Sequence, residues 1–312
     1  MANFTSTDLT AMLTAEGVLL PEHVAEQLVA AVDSGKHVIL TGPPGTGKTT
    51  LAYYAAELAR RAMLCTGYLP TTATSEWSTF ETIGGLQPTS EGMIFRPGLF
   101  IEAIESAQWL VVDEMNRSNF DRAFGQLFTV LSGSAVVLPF KRLGRAQRIS
   151  IVPAGVEVPQ DTDPIRVPPS WRIIATMNEF DKNLLFDMSY ALMRRFAFIE
   201  VGTPDDGTFF RLLDSEGGRV VRDLLPLRRF VDLGPAAFLD AARYVQRRSL
   251  DRVTRSRLLY EAFYAYFLPQ LDSVDDASAP RLYELLTEHM DPGEASEVRR
   301  CLSNTFGYEL MA

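Results

Sequence analysis

The chain has 312 residues, 46% hydrophobic and 22% charged, so it can bury a sizeable core and has room for two domains or for one large α/β domain with a satellite. Its formal net charge of -9 argues against a nucleic-acid-binding surface spread over the whole molecule, though a local basic patch is compatible with it. Cys65 and Cys301 lie far apart, and His23, His37 and His289 do not cluster with them, so neither a disulfide framework nor a Cys/His metal site is indicated. The first residues lack a basic segment followed by an apolar run, and no apolar stretch is long enough to span a bilayer; the expectation is a cytoplasmic protein without a membrane segment.

In chain order, Thr7 and Asp8 are expected to cap a short helix through Met12, closed by Gly17. Pro21 opens a second helix, with Val24, Leu28, Val29 and Val32 on its apolar face and Gly35 just past its end. His37, Val38, Ile39, Leu40 and Thr41 read as a strand, and residues 51–59 repeat their apolar positions at helical spacing. Between them stands Gly42-Pro43-Pro44-Gly45-Thr46-Gly47-Lys48-Thr49-Thr50, which fills every fixed position of the phosphate-binding loop in the required strand, turn and helix context. Its glycines let backbone N–H groups turn inward around a phosphate, and the helix N-terminus adds the positive end of its dipole. Lys48 is expected on the β- and γ-phosphates of a nucleotide and Thr49 on a magnesium ion, with Thr46 and Thr50 supporting the loop. Val18, Leu19 and Leu20 read either as contacts to an adenine ring or as ordinary core.

Residues 68–74 read as a second strand, and the Gly-bounded pieces 80–86 and 92–98 as a protruding hairpin, followed by a helix over 99–107. Trp109, Leu110, Val111 and Val112 predict a strand buried on both faces that delivers Asp113 and Glu114 at its C-terminal edge, where open α/β sheets bind ligands. Asp113 is expected to hold hydrated magnesium and Glu114 to polarise an attacking water. Ser118 is expected to cap a helix with Phe120, Phe124, Leu127, Phe128 and Leu131 in one stripe, ended by Gly133. Residues 135–140 and 149–152 suggest a second hairpin whose tip carries Lys141, Arg142, Arg145 and Arg148, either a contact for phosphates or an acidic partner, or a solvated loop. Residues 171–177 form a further buried strand ending in Asn178, an amide placed to sense the γ-phosphate. A helix end over 190–195 leads into a fifth strand over 196–201; Arg194 and Arg195 at that junction read as a helix C-terminal charge complement or as a finger for a neighbour's nucleotide. Beyond the turn-rich residues 202–207 the periodicity is helical.

Together these motifs resemble the AAA+ ATPases, more narrowly the clade holding dynein-related and MoxR-type ATPases and the McrB-type GTPase of a restriction system. The resemblance rests on residues 42–50, Ile83-Gly84-Gly85, Phe95-Arg96-Pro97-Gly98, Val112 through Arg117, Ala175 through Asn178 and Arg194 through Val201, and it is close from about Leu19 to Val201. It implies that Lys48 and Thr49 bind phosphate and magnesium, that Asp113 and Glu114 are the paired acids, that Asn178 is the first sensor, and that Arg195, or Arg194, is a finger entering the next subunit's site. A finger supplied in trans is worth about 10³ to 10⁵ in rate in related chemistry. The resemblance further implies a ring, usually a hexamer, with both hairpins lining or approaching its channel. In three respects the chain departs from the McrB branch: only a helix or two precede the first strand where that branch has a DNA-reading domain, Lys182 stands where that branch has an arginine, and no guanine-selecting pattern is recognisable. ATP is therefore the expected nucleotide. Arg252, Arg255 and Arg257 are candidates for the lid sensor or simply a solvated helix face.

The expected fold is an α/β P-loop NTPase, a three-layer αβα domain with a five-stranded parallel sheet over residues 1–203, plus a small C-terminal helical lid domain over 204–312. The expected function is that of an ATP- and Mg2+-dependent ATPase, a homo-oligomeric ring that remodels or translocates a macromolecule, with an unidentified protein partner or with nucleic acid held through Lys141, Arg142, Arg145 and Arg148. Its rivals are a nucleotide-controlled scaffold with little turnover and a McrB-like GTPase subunit of a nucleic-acid-targeting defence complex.

Overall fold

The computed structural model describes residues 4–90, 92–178, 193–271, 274–275 and 277–306, and they fall into two compact units. The first comprises Met1–Gly42 and Gly47–Val201, the second Pro43–Thr46 and Gly202–Ala312.

The first unit holds, in chain order, α1 (Ser6–Ala15), α2 (Glu22–Asp33), β1 (His37–Gly42), α3 (Lys48–Arg61), β2 (Gly67–Thr72), α4 (Thr79–Thr82), β3 (Gly84–Thr89), β4 (Gly92–Pro97), α5 (Leu99–Glu105), β5 (Gln108–Asp113), α6 (Phe120–Phe124), α7 (Leu127–Leu131), β6 (Val136–Lys141), β7 (Arg148–Val152), β8 (Thr162–Arg166), β9 (Ile173–Asn178) and β10 (Phe196–Glu200). Among the described residues, β10, β1, β9, β5 and β2 lie side by side in that order, every pair parallel. The central strands β1, β9 and β5 are apolar along most of their length because both faces are covered, whereas the edge strands β2 and β10 carry exposed positions. Successive side chains point to opposite faces. Thus Val38 and Leu40 of β1, Trp109 and Val111 of β5 and Ile174 of β9 join a core with Leu9, Val24, Leu28, Leu51 and Ala55. Their neighbours Ile39, Leu110, Val112, Ile173 and Ala175 join a second core with Phe100, Ile104, Phe124 and Leu127. The result is the expected three-layer αβα arrangement, each fully buried Val, Leu or Ile contributing about 1.5–3 kcal/mol.

Local chemistry corrects several element ends. The cap of α1 is Thr5, not Thr7 or Asp8: its Oγ1 accepts from Asp8 N–H at 3.1 Å. The single helix expected after Ser118 is two, α6 and α7, because Gly125 at φ 46° breaks the chain where a Cβ would lie 2.4 Å from Thr79 Cγ2. Asn119 Oδ1 takes the Arg122 N–H, while the Ser118 hydroxyl donates to Met115 O. Both expected hairpins are present, β3 with β4 and β6 with β7. Strand β8, parallel to β7, was not expected; it tolerates Pro164 because it lies at the edge of its three-stranded sheet.

The second unit is helical: α8 (Asp206–Leu212), α9 (Glu216–Val221), a 3-10 stretch over Arg222–Arg229, α10 (Pro235–Arg248), α11 (Arg255–Ala262) continuing as a π turn over Phe263–Phe267, α12 (Ala279–Thr287) and α13 (Pro292–Phe306). Phe209, Phe238, Phe263 and Phe267 centre its core. Gly45 belongs to this unit through the Ala236 N–H, which donates to its carbonyl at 3.2 Å, and a Cβ on Gly234 would lie 2.4 Å from Pro44 O.

Candidate functional site: one end of the parallel sheet

β1 ends at Gly42 and α3 begins at Lys48, so residues 42–47 form a turn at the sheet's C-terminal edge. Gly42, Gly45 and Gly47 have φ of 144°, 73° and 91°, conformations an L side chain adopts only with strain. Space excludes a side chain at Gly42 as well, since a Cβ there would lie 2.3 Å from Val201 O. Lys48 is buried and donates from Nζ to Gly42 O at 2.8 Å, and the Thr46 hydroxyl donates to Pro43 O at 3.1 Å. Thr50 is half-buried, and Pro44 and Gly45 are exposed. Val18 and Leu20 pack on the core, and a Cβ on Gly47 would meet Val18 Cγ1 at 3.0 Å, which puts Val18 beside the loop.

The end of β5 brings the acids to the same edge. Thr49 Oγ1 donates to Asp113 Oδ1 at 2.8 Å, and Thr176 Oγ1, from the adjacent β9, donates to that same oxygen at 2.5 Å. Glu114 follows in the left-handed region at φ 50°, ψ 48°, a conformation costing an L residue about 1–2 kcal/mol. Its N–H donates to Thr176 Oγ1 at 3.0 Å, and its carboxylate is ion-paired with Arg117. Tyr53 lies close enough that burial, then the Asp113 charge, then Tyr68 push its phenol up. Asn178 closes β9, half-buried and in register with Gly42, and so stands at this edge too.

Two expected residues lie elsewhere. Arg194, exposed, and Arg195, half-buried, precede β10, whose Phe196 is in register with His37 at the start of β1. They stand at the N-terminal edge, about five strand residues or roughly 16 Å from Gly42. His37 marks that edge: its Nδ1 accepts the Ile173 N–H at 2.9 Å, and burial first, then Arg172 and Lys36, lower its pKa to about 3, so the ring is neutral. Lys182, and residues 190–192 of the expected helix end, lie outside the described residues.

Of the basic hairpin tip, Lys141, Arg145 and Arg148 are exposed, whereas Arg142 is engaged by Glu105 and by Asp163 at 3.1 Å. Arg255 pairs with Asp223 and Arg257 with Glu261 and Glu297, so two of the three lid-sensor candidates are occupied within their own unit. Sequence reasoning missed Thr176 and Arg117; the signal for Thr176 was a hydroxyl in a strand that is otherwise Ile, Ile, Ala and Met up to Asn178.

Residues 37–196, half of the chain, match the profile of the AAA domain (dynein-related subfamily). The chain belongs to this AAA+ ATPase family. Among curated proteins this AAA+ chain is similar to the EcoKMcrB subunit of the type IV methyl-directed restriction enzyme of Escherichia coli K12, 28% identical over 207 residues. That match covers 62% of this chain but only 41% of that protein's length. An uncharacterized protein of Staphylococcus epidermidis is 23% identical over 259 residues, 75% of this chain and 90% of its own. A similar one of Staphylococcus saprophyticus is 22% identical over 261 residues, covering 76% and 91%.

AAA+ membership implies nucleotide binding, and the residues present fit the group. Gly42, Gly45 and Gly47 at positive φ carry no Cβ, Lys48 is buried with its ammonium on Gly42 O, and Thr49 with Asp113 forms a hard-oxygen pair of the kind magnesium takes. Among the described residues no helix is long and apolar enough to cross a membrane.

Proposed function

We propose that this AAA+ chain is an ATPase that assembles into a ring, completes each active site with an arginine from the neighbouring subunit, and uses the nucleotide cycle to remodel or move a macromolecule. The observation that carries this reading is the division of the parts between the two ends of one sheet: Lys48, Thr49, Asp113, Glu114 and Asn178 gather at one edge, while Arg194 and Arg195 stand at the other. Arginines so far from their own loop suit a neighbour's site and not their own. In this reading residues 1–203 bind nucleotide, residues 204–312 act as the lid, and the two hairpins face the client.

The backbone N–H groups of residues 45–48 and the Lys48 ammonium would bind the phosphates, and Thr49 and Asp113 would hold the magnesium ion. Bound magnesium would supply Lewis-acid neutralisation of phosphate charge. Glu114 accepts a proton from the attacking water, which requires its carboxylate to leave the ion pair with Arg117 or share it. Asn178 orients the water or phosphate by hydrogen bond, and Arg195, or Arg194, brings positive charge across the subunit boundary. The Glu114→Gln variant tests the assignment: nucleotide affinity should stay within about threefold of wild type while turnover falls by about 10² to 10⁴. Hydrolysis at the parental rate would remove Glu114 from this role.

A second reading, a motor coupled to nucleic acid, is favoured by the restriction-enzyme relative and by the exposed Lys141, Arg145 and Arg148. ATP and GTP turnover measured with and without DNA, alongside a salt titration of binding, separates the two: phosphate contacts give a steep salt slope, and a protein client gives none for DNA.

A further inference from the structure

We infer that Thr176 is the positioning residue of this site: its hydroxyl sets the backbone of Glu114 against Asp113 and thereby aims the Glu114 carboxylate, an inference that rests on the ATPase reading above. The side chain is 1% exposed and lies on β9, one strand over from the acids it touches. A threonine hydroxyl has one proton to give and two lone pairs to receive with. Here the proton goes to Asp113 Oδ1 at 2.5 Å and one lone pair receives the Glu114 N–H at 3.0 Å. Both acids are thus tied through a single oxygen to the strand that ends in Asn178.

The tie matters because Glu114 occupies a left-handed conformation, which an L residue adopts only at a cost. Besides the ion pair of its carboxylate with Arg117, two bonds hold its backbone there, its N–H on Thr176 and its carbonyl receiving the Arg117 N–H at 2.9 Å. The first is made by a side chain and can be removed without changing the shape of the strand. Valine has the volume of threonine but cannot accept the Glu114 N–H or donate to Asp113, whereas serine can do both. Thr176 touches neither water nor phosphate in this scheme, and it acts only through the two carboxylates.

The test compares Thr176→Val and Thr176→Ser with wild type by amide hydrogen exchange of the nucleotide-free protein, by single-turnover ATP hydrolysis and by ATP affinity in the presence of magnesium. For Thr176→Val, exchange at Glu114 should quicken by about tenfold or more while protection in β1 stays unchanged, which separates local release from global loosening. Hydrolysis by that variant should fall about 100-fold with ATP affinity held within about threefold. Thr176→Ser should stay within about threefold of wild type on every readout. The inference is overturned if Thr176→Val exchanges and hydrolyses as wild type does, or if Thr176→Ser is as impaired as Thr176→Val, which would assign the effect to the methyl group. Should wild type itself hydrolyse no nucleotide, the ATPase reading fails, and the exchange comparison still decides whether the hydroxyl holds Glu114.

Discussion

His37 shows how much a single side chain can hide from a sequence. Nothing in the run from His37 to Thr41 distinguishes a surface histidine from one that replaces a backbone acceptor, yet here Nδ1 receives the Ile173 N–H and burial lowers the pKa to about 3. Because the folded value lies below the ordinary 6.5, the unfolded chain takes up the proton first as the pH falls. The stability from a neutral His37 is therefore complete above pH 6.5 and is lost as the pH drops towards 3, at up to about 1.4 kcal/mol per pH unit. Glu57, lowered to about 2 chiefly by hydrogen bonding to Arg60, contributes the same sign of change only below 4.5. Denaturant unfolding between pH 6.5 and 5 thus isolates the histidine: wild type should lose stability along this slope, and His37→Asn, which keeps an acceptor but cannot titrate, should run nearly flat. Parallel curves would show that His37 is not buried neutral. That the loop from Gly42 to Thr50 and the acids at 113 and 114 share one edge of the sheet was legible, because the motif fixes residue types at fixed spacing in a strand, turn and helix context. Thr176 and Arg117 were not, since the role of Thr176 exists only once β9 lies in register beside β5, and that of Arg117 only once Glu114 turns left-handed.

At the scale of elements, β1, β5, β9 and β10 were readable from their apolar runs and β2 from its β-branched residues, the first hairpin from the glycines that bound it and the second from two β-rich pieces around a polar tip. What could not be read is which elements meet. Strand β8 is a Pro-containing polar segment that becomes a strand only because β7 offers it a partner, and the break between α6 and α7 answers to Thr79, some 46 positions away. The two hairpins also meet: Phe95 of β4 and Phe140 of β6 stack with ring centroids 5.2 Å apart at 22°. Arg142, just past that ring, ties the second hairpin to Glu105 at the end of α5 and to Asp163 of β8. An offset aromatic pair contributes about 0.5–1.5 kcal/mol beyond the area it buries, so a double-mutant cycle of Phe95→Ala and Phe140→Ala should show coupling of that size in denaturant unfolding. Additive losses would mean that the hairpins stand independently. With the coupling present, a displacement of either hairpin is carried to the other.

For the whole molecule, the decisive question is where the arginine comes from. A net charge of -9 makes copies of the chain repel one another, so the proposed ring would need specific contacts, and a head-to-tail contact that closes on itself would give it. In such a ring every site uses a loop from one subunit and an arginine from the next, so the two parts can be destroyed on different chains. Lys48→Ala removes the phosphate ammonium but leaves Arg194 and Arg195 intact; the Arg194→Ala/Arg195→Ala double variant does the reverse. Each alone should lose turnover by about 10³-fold or more. Mixed in equal amounts, they should recover activity, because roughly a quarter of interfaces in randomly assembled rings join an intact loop to an intact arginine. Wild-type specific activity should likewise rise with protein concentration, in step with the appearance of the ring in native mass measurements with ATP and magnesium. Recovery cannot come from either chain acting singly, since no single chain in the mixture carries both parts. A mixture as inactive as its components, or a wild-type rate per chain that is the same at every dilution, would mean that the arginines at the N-terminal edge of β10 serve no neighbouring site, and the ring mechanism would have to be abandoned even if the loop binds nucleotide.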